Sequence, residues 1–156
     1  MRTALFILLA AFSVVAAAAA LPYDGSANAK QDVQRAQAAA ASRGVPLLIV
    51  FGANWCEDCR ALDLALHKGK SAALVGKSFS MVKVDVGDFD RNLDVVAAYG
   101  NPIAKGIPAA VVVSADYKVL YATRAGELAN ARRMSETGIY EFFERVRQTA
   151  SPAQRN

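Results

Sequence analysis

From residue 29 onward the apolar and polar positions change period several times, and each change marks an element. Ala29 to Arg43 is rich in Ala, Gln and charged residues, all good helix formers, and Gly44 ends the run. A short continuous apolar stretch follows at 46–52, Pro-Leu-Leu-Ile-Val-Phe-Gly, the pattern of a strand buried on both faces. A second helix is predicted to start at residues 56–59. Leu62 and Leu66, four apart, would face the sheet, with Arg60, Asp63 and Lys70 looking outward. Phe79 to Val86 alternates partway and is rich in β-branched residues, which predicts a second strand. Gly87 to Arg91 is a charged loop, and Leu93 to Tyr99 a short helix ended by Gly100 and Pro102. Ala109 to Ser114 and Lys118 to Thr123 are two short strands at hairpin spacing around Ala115-Asp116-Tyr117. A last helix runs from Thr137 to about Gln148, capped by Ser135 or Thr137, with Ile139, Phe142, Phe143 and Val146 on its apolar face. Strand–helix–strand, then hairpin, then helix is the order of a single layered α/β domain.

The first twenty residues stand outside this pattern. Arg2 is a minimal positive start, Ala4 to Val15 is almost wholly apolar, and Ala16–Ala20 satisfies an Ala-x-Ala cleavage rule. The apolar stretch is near the lower limit of about 17–18 residues for a membrane span, but its second half is weakly partitioning alanine and no basic stop-transfer cluster follows. Residues 1–20 are therefore expected to be a cleaved secretory signal, 21–28 a flexible lead-in, 29–150 the folded domain and 151–156 a disordered tail. Removing residues 1–20 from 156 leaves 136, enough for one domain with its own core, with no membrane span after cleavage. The formal charge of +4 falls to +3 with the loss of Arg2, and the basic residues are scattered, so there is no nucleic-acid footprint. A secreted monomer, in the bacterial periplasm, is the expectation.

Export sharpens the question posed by the only two cysteines, Cys56 and Cys59, which bracket Glu57-Asp58 and follow Trp55. As a structural staple the pair gains little: a closed loop of about 4 residues contributes about 2 kcal/mol, against about 3 for a loop of 15. As a closed zinc site it lacks ligands, since only His67 is left to join it. Two-coordinate Cu(I) on the sulfurs remains chemically open. Two thiols one helical turn apart after a buried strand can open and close a disulfide without rearranging the rest, which points to thiol–disulfide exchange. That chemistry requires the Cys56 sulfur to be reachable and able to lose its proton at the tip of a helix.

The run Phe51-Gly-Ala-Asn-Trp-Cys-Glu-Asp-Cys-Arg60, with Gly106-Ile107-Pro108 before the third strand, resembles the thioredoxin-like superfamily, in its exported form with a Trp-Cys-x-x-Cys motif. The resemblance covers about residues 30–148. It implies a thioredoxin-like fold, a central mixed β-sheet flanked by helices. It also implies roles: Cys56 as the attacking thiolate, favoured by free backbone N–H groups and the helix dipole, and Cys59 as the resolving thiol. Trp55 would shield the pair and contact substrate. Pro108 would be a cis-proline opposite the cysteines, turning the backbone of Ile107 towards an extended substrate strand. His67 has no matching role and reads as a surface helix residue.

Three departures from the family pattern modify this picture. Glu57 and Asp58 replace the usual small or proline-containing dipeptide. Two carboxylates about 7 Å from Cys56 would each disfavour its thiolate by about 0.5–1 kcal/mol at an effective dielectric of about 50 or more. That tilts the site by some tens of millivolts towards donating electrons, since 30 mV is about 1.4 kcal/mol for this couple. The buried acid that thioredoxins place six residues before the first cysteine is here Val50, although Lys83 matches their lysine on the neighbouring strand. Water or Glu57 would then have to deprotonate Cys59, and general disulfide reduction should be slower than for a housekeeping thioredoxin. Ala109 follows the proline where threonine is common, and Gly126 to Gly138, with Glu127, Arg132, Arg133 and Met134, reads as a connector or a substrate-contacting loop.

The expected function is an exported thiol:disulfide oxidoreductase that reduces or isomerises protein disulfides with the Cys56–Cys59 pair as its own redox group. No organic cofactor and no metal are needed. Its partners would be disulfide-bearing exported proteins and an inner-membrane thiol electron donor. The alternative is a Cu(I)-handling module using the same two sulfurs.

Overall fold

In the computed structural model, residues 21–151 are described; the leader expected at 1–20 and all of the expected tail except Ser151 lie outside them. Helix α1 (Ala29–Arg43) is capped at its start by Asn28, whose side chain accepts from the Gln31 N–H, and stopped by Gly44 in the left-handed conformation. Strand β1 (Leu47–Gly52) is buried along its whole length. It lies parallel to β2 (Ser80–Asp85) and antiparallel to β3 (Ala109–Val113), which pairs in turn with β4 (Val119–Ala122). The sheet order is β2-β1-β3-β4, a mixed sheet with β1 at its centre. Among the described residues no helix is long and apolar enough to cross a membrane.

Because β1 is central, both its faces need cover, and its alternate residues serve two cores. Leu47, Ile49 and Phe51 pack with α1 and the short helix α4 (Leu93–Ala98). Leu48 and Val50 pack with α2 (Glu57–Leu66), α3 (Gly69–Ser78) and α5 (Glu136–Ala150). The near-continuous apolar run at 46–52 is the sequence image of that double burial. Ser135, rather than Thr137, caps α5, its Oγ accepting from the Gly138 N–H at 3.0 Å.

The structure departs from the sequence pattern in three places. The second helix is two helices, broken at His67–Lys68 before Gly69, whose φ of +55° suits a residue without a side chain; Lys70 is exposed but belongs to α3. Asp63 does not look outward: its carboxylate is largely covered and takes a 2.8 Å bond from Lys83 Nζ on β2. The stretch 21–28 carries an anchor, Tyr23, which is only 3 % exposed. Its N–H donates to Asn54 Oδ1 at 3.0 Å and its carbonyl accepts from Asn54 Nδ2 at 2.6 Å. A buried aromatic ring and two backbone bonds outweigh the polar, small-residue composition that suggested a loose lead-in.

Candidate active site

The cysteines sit where β1 gives way to α2. Cys56 is the N-cap of α2, with extended backbone, and its sulfur accepts the Cys59 N–H at 3.1 Å. The two sulfurs are joined as a disulfide with Cα atoms 5.2 Å apart. A helix N-terminus leaves N–H groups without helical partners, and one of them points at Cys56, so that sulfur is the one on which negative charge is favoured. Cys59, one turn in, is fully buried, whereas Cys56 keeps 6 % of its surface. Of the two residues, Cys56 is the one that keeps any exposed surface.

Opposite the sulfurs, the Ile107–Pro108 peptide bond is cis. The Ile107 carbonyl oxygen lies 3.6 Å from Cys56 Sγ, while the Ile107 side chain is buried in the core. This turn is braced from behind. Gly126 has φ +74° and a Cβ there would stand 2.8 Å from the Lys105 carbonyl oxygen, so the segment after β4 packs directly on the loop that carries the cis bond. Trp55, by contrast, is 54 % exposed. Its Nε1 donates to the Gly87 carbonyl at 2.9 Å, and its ring meets Phe89 at a centroid distance of 6.1 Å. Phe89 is itself 43 % exposed and held at φ +63° in the β2–α4 loop. Trp55 therefore stands beside the pair as half of an open aromatic ledge. The charged composition of 87–91 hid its other half.

Glu57 and Asp58 are not free charges. Arg132, on the 3₁₀ turn Ala131–Arg133, donates from its guanidinium to Glu57 Oε2 at 2.6 Å and from its backbone N–H to Asp58 Oδ1 at 2.9 Å. The guanidinium also stands 3.8 Å from Asp58 Oδ2. The segment 126–138 is thus a clasp on the motif helix, and Glu57 is engaged by Arg132 rather than poised over Cys59. The isolated-carboxylate argument for a destabilised thiolate is largely offset. Arg132→Ala should restore it: alkylation of reduced Cys56 by iodoacetamide should slow about two- to fivefold at low salt, the scale of one carboxylate about 7 Å away. The difference should fade near 1 M salt, because the groups are exposed and screened. Equal rates at low salt would remove Arg132 from any role at the site.

Beneath the pair, Val50 pairs with Lys83 and Gly52 with Asp85 across β1 and β2. Lys83 is tied to Asp63, one turn beyond Cys59 on α2, and Asp85 is tied to Arg91 at 3.3 Å. His67 closes α2, exposed, with Nδ1 2.7 Å from the Asp63 carbonyl. Among the described residues no three His, Cys, Asp or Glu side chains gather as a metal site, which leaves the copper alternative only the two sulfurs.

A family model described as thioredoxin-like matches residues 28–115. The chain belongs to the thioredoxin-like family. Its fold agrees, with the mixed sheet, flanking helices and cysteine pair in place. The crystal structure of a disulphide isomerase from Xylella fastidiosa Temecula1 is 56 % identical, with a TM-score of 0.81, covering 83 % of this chain and 98 % of that one. The oxidised C-terminal domain of Neisseria meningitidis DsbD shares the fold at 17 % identity (TM-score 0.53, 72 % of this chain and 90 % of that one). So does a thioredoxin from Thermus thermophilus at 17 % (TM-score 0.54, 78 % and 85 %). No curated protein sequence matches the chain. Family membership, the cysteine pair and the 56 % identical relative together make this chain a thiol:disulfide oxidoreductase.

Proposed function

We propose that this oxidoreductase is exported and works on protein disulfides in the reducing or isomerising direction, with Cys56 as the attacking sulfur and Cys59 as the resolving one. The observation that carries the proposal is the placement of Cys56 at the α2 tip, with the Cys59 N–H on one side and the Ile107 carbonyl of a cis-proline turn on the other. An extended client segment laid beside residue 107 would bring its disulfide to the less deeply buried of the two cysteines. Trp55 and Phe89 offer that segment an apolar surface.

The direction is supported by the 56 % identity to a protein described as a disulphide isomerase, since an isomerase must attack from its dithiol form. Export is supported by the leader-like composition of residues 1–20. In an oxidising compartment such an enzyme has to be recharged, so an inner-membrane thiol donor is the implied electron source and disulfide-bearing exported proteins are the clients. The Cys56–Cys59 pair is itself the redox group, so the exchange calls for no organic cofactor.

Equilibration against glutathione and dithiothreitol buffers tests the direction. The pair should fall between about −200 and −270 mV, the range spanned by glutaredoxins and thioredoxin, and the reduced protein should precipitate insulin chains. A potential near about −120 mV, that of a strong oxidant, would reverse the direction.

A further inference from the structure

The resolving sulfur has a neighbour that the exchange mechanism so far leaves unused. Gly52 ends β1 directly beneath the motif helix, and its missing side chain matters. A Cβ at 52 would overlap the hydroxyl end of the Tyr23 ring and stand 3.0 Å from Cys59 Sγ. The tyrosine hydroxyl and the buried sulfur thus converge on one vacancy left by the glycine. Tyr23 does not drift there: Asn54, two residues before Cys56, grips both its N–H and its carbonyl. The strand offers no acid at this level, because Val50 occupies the position below.

We propose that the Tyr23 hydroxyl is the hydrogen-bond donor that stabilises the Cys59 thiolate in the second exchange step, activating the resolving thiol where the strand carries no acid. This rests on the two-cysteine exchange proposed above. In that step Cys59 sulfur attacks Cys56 Sγ of the mixed disulfide. The Cys56–Cys59 bond forms as the Cys56–client bond breaks, and the electron pair leaves with the client sulfur. The proton shed by Cys59 is balanced by the one the client thiolate takes up. A donor held beside Cys59 can turn to the sulfur once it is charged, and a hydrogen bond to a charged group is among the stronger ones.

The surroundings suit a permanent donor. Burial first, then the charges of Asp63 and Asp85, push the Tyr23 hydroxyl to hold its proton more tightly than an ordinary tyrosine. It therefore keeps that proton through the working pH range. The groups around Cys59 are Asp63 with its partner Lys83, Asp85 with Arg91, and, on the motif side, Glu57 and Asp58 under Arg132. Each carboxylate thus has a cationic partner, which leaves the hydroxyl as the neutral donor sharing the Gly52 vacancy with the sulfur.

Tyr23→Phe keeps the ring and removes only the donor. In single-turnover reduction of insulin, release of the client from the mixed disulfide should slow about tenfold, while iodoacetamide alkylation of Cys56 stays at the wild-type rate. In a Cys56→Ser background, adding Tyr23→Phe should move the ultraviolet thiolate absorbance of Cys59 to higher pH. Unchanged release, or equal slowing of release and of Cys56 alkylation as a merely looser fold would give, overturns the proposal. The Cys59 titration involves no client, so an unmoved midpoint overturns this role alone. Failure of the wild-type protein to reduce insulin would instead overturn the exchange function.

Discussion

A Cys59→Ser variant mixed with a disulfide-bearing client should accumulate a covalent adduct through Cys56, and a Cys56→Ser variant should not. The asymmetry follows from the site. Cys56 has the N–H of residue 59 on its sulfur and the only residual exposure of the two, whereas Cys59 is fully enclosed. With serine at 59 the first exchange still runs, but no second thiolate is present to expel the client. With serine at 56 the remaining thiol cannot reach a protein disulfide at all. Steady-state insulin reduction should fall on the order of 10³-fold or more in either variant, the scale on which loss of an activated nucleophile registers. Non-reducing electrophoresis with mass spectrometry of the adduct reads the outcome. Adducts on the Cys56→Ser protein alone would exchange the two roles.

How much of this was visible in the sequence depends on how local each feature is. The strand-then-cysteines arrangement was legible because a doubly buried strand must be apolar at every position, and 46–52 is. The face of α5 was legible from Ile139, Phe142, Phe143 and Val146, all of which are buried. The break between α2 and α3 was not: neither helix ends on a proline, and Gly69 alone is a weak signal inside a helical pattern. Asp63 was misplaced for a more general reason. A carboxylate on an amphipathic helix belongs outside unless a cation arrives from elsewhere, and Lys83 comes from a strand 20 residues on.

Long-range partners account for the rest of the site. Glu57 and Asp58 looked like an uncompensated negative pair because Arg132 lies 75 and 74 residues away in sequence. Nothing in the periodicity of 126–138 says which helix it clasps. Tyr23 was hidden in the same way, though a clue was present. A glycine closing an otherwise fully apolar strand leaves room that something else must fill, since interiors are close-packed. The clue says that a filler exists and not that it comes from the N-terminal segment. Phe89 had no clue at all, set among acids in a loop where its left-handed backbone is uncommon for an aromatic residue.

Phe143→Ala should be the most destabilising single change away from the cysteines, and it separates what the core does from what the site does. The ring is fully buried on α5, meets Phe142 edge-on at 5.1 Å, and belongs to the core formed by Leu48, Val50, Leu62 and Ala110. Truncating such a ring costs about 3–5 kcal/mol, from lost transfer energy and the cavity left behind. Against a typical total of about 5–15 kcal/mol, that is a large share. For a domain of this size it corresponds to a fall in Tm on the order of 10–20 °C. Urea titration of the oxidised and the dithiothreitol-reduced protein should show the same loss in both. The sulfurs, their N–H donor and the cis-proline turn involve other side chains, so the mutation should weaken the two redox states equally. The potential depends only on the difference between those states and should therefore hold within about 10 mV, less than 0.5 kcal/mol for a two-electron couple. A shift of 30 mV or more would mean that α5 favours one redox state through α2, and that core and site are energetically one unit.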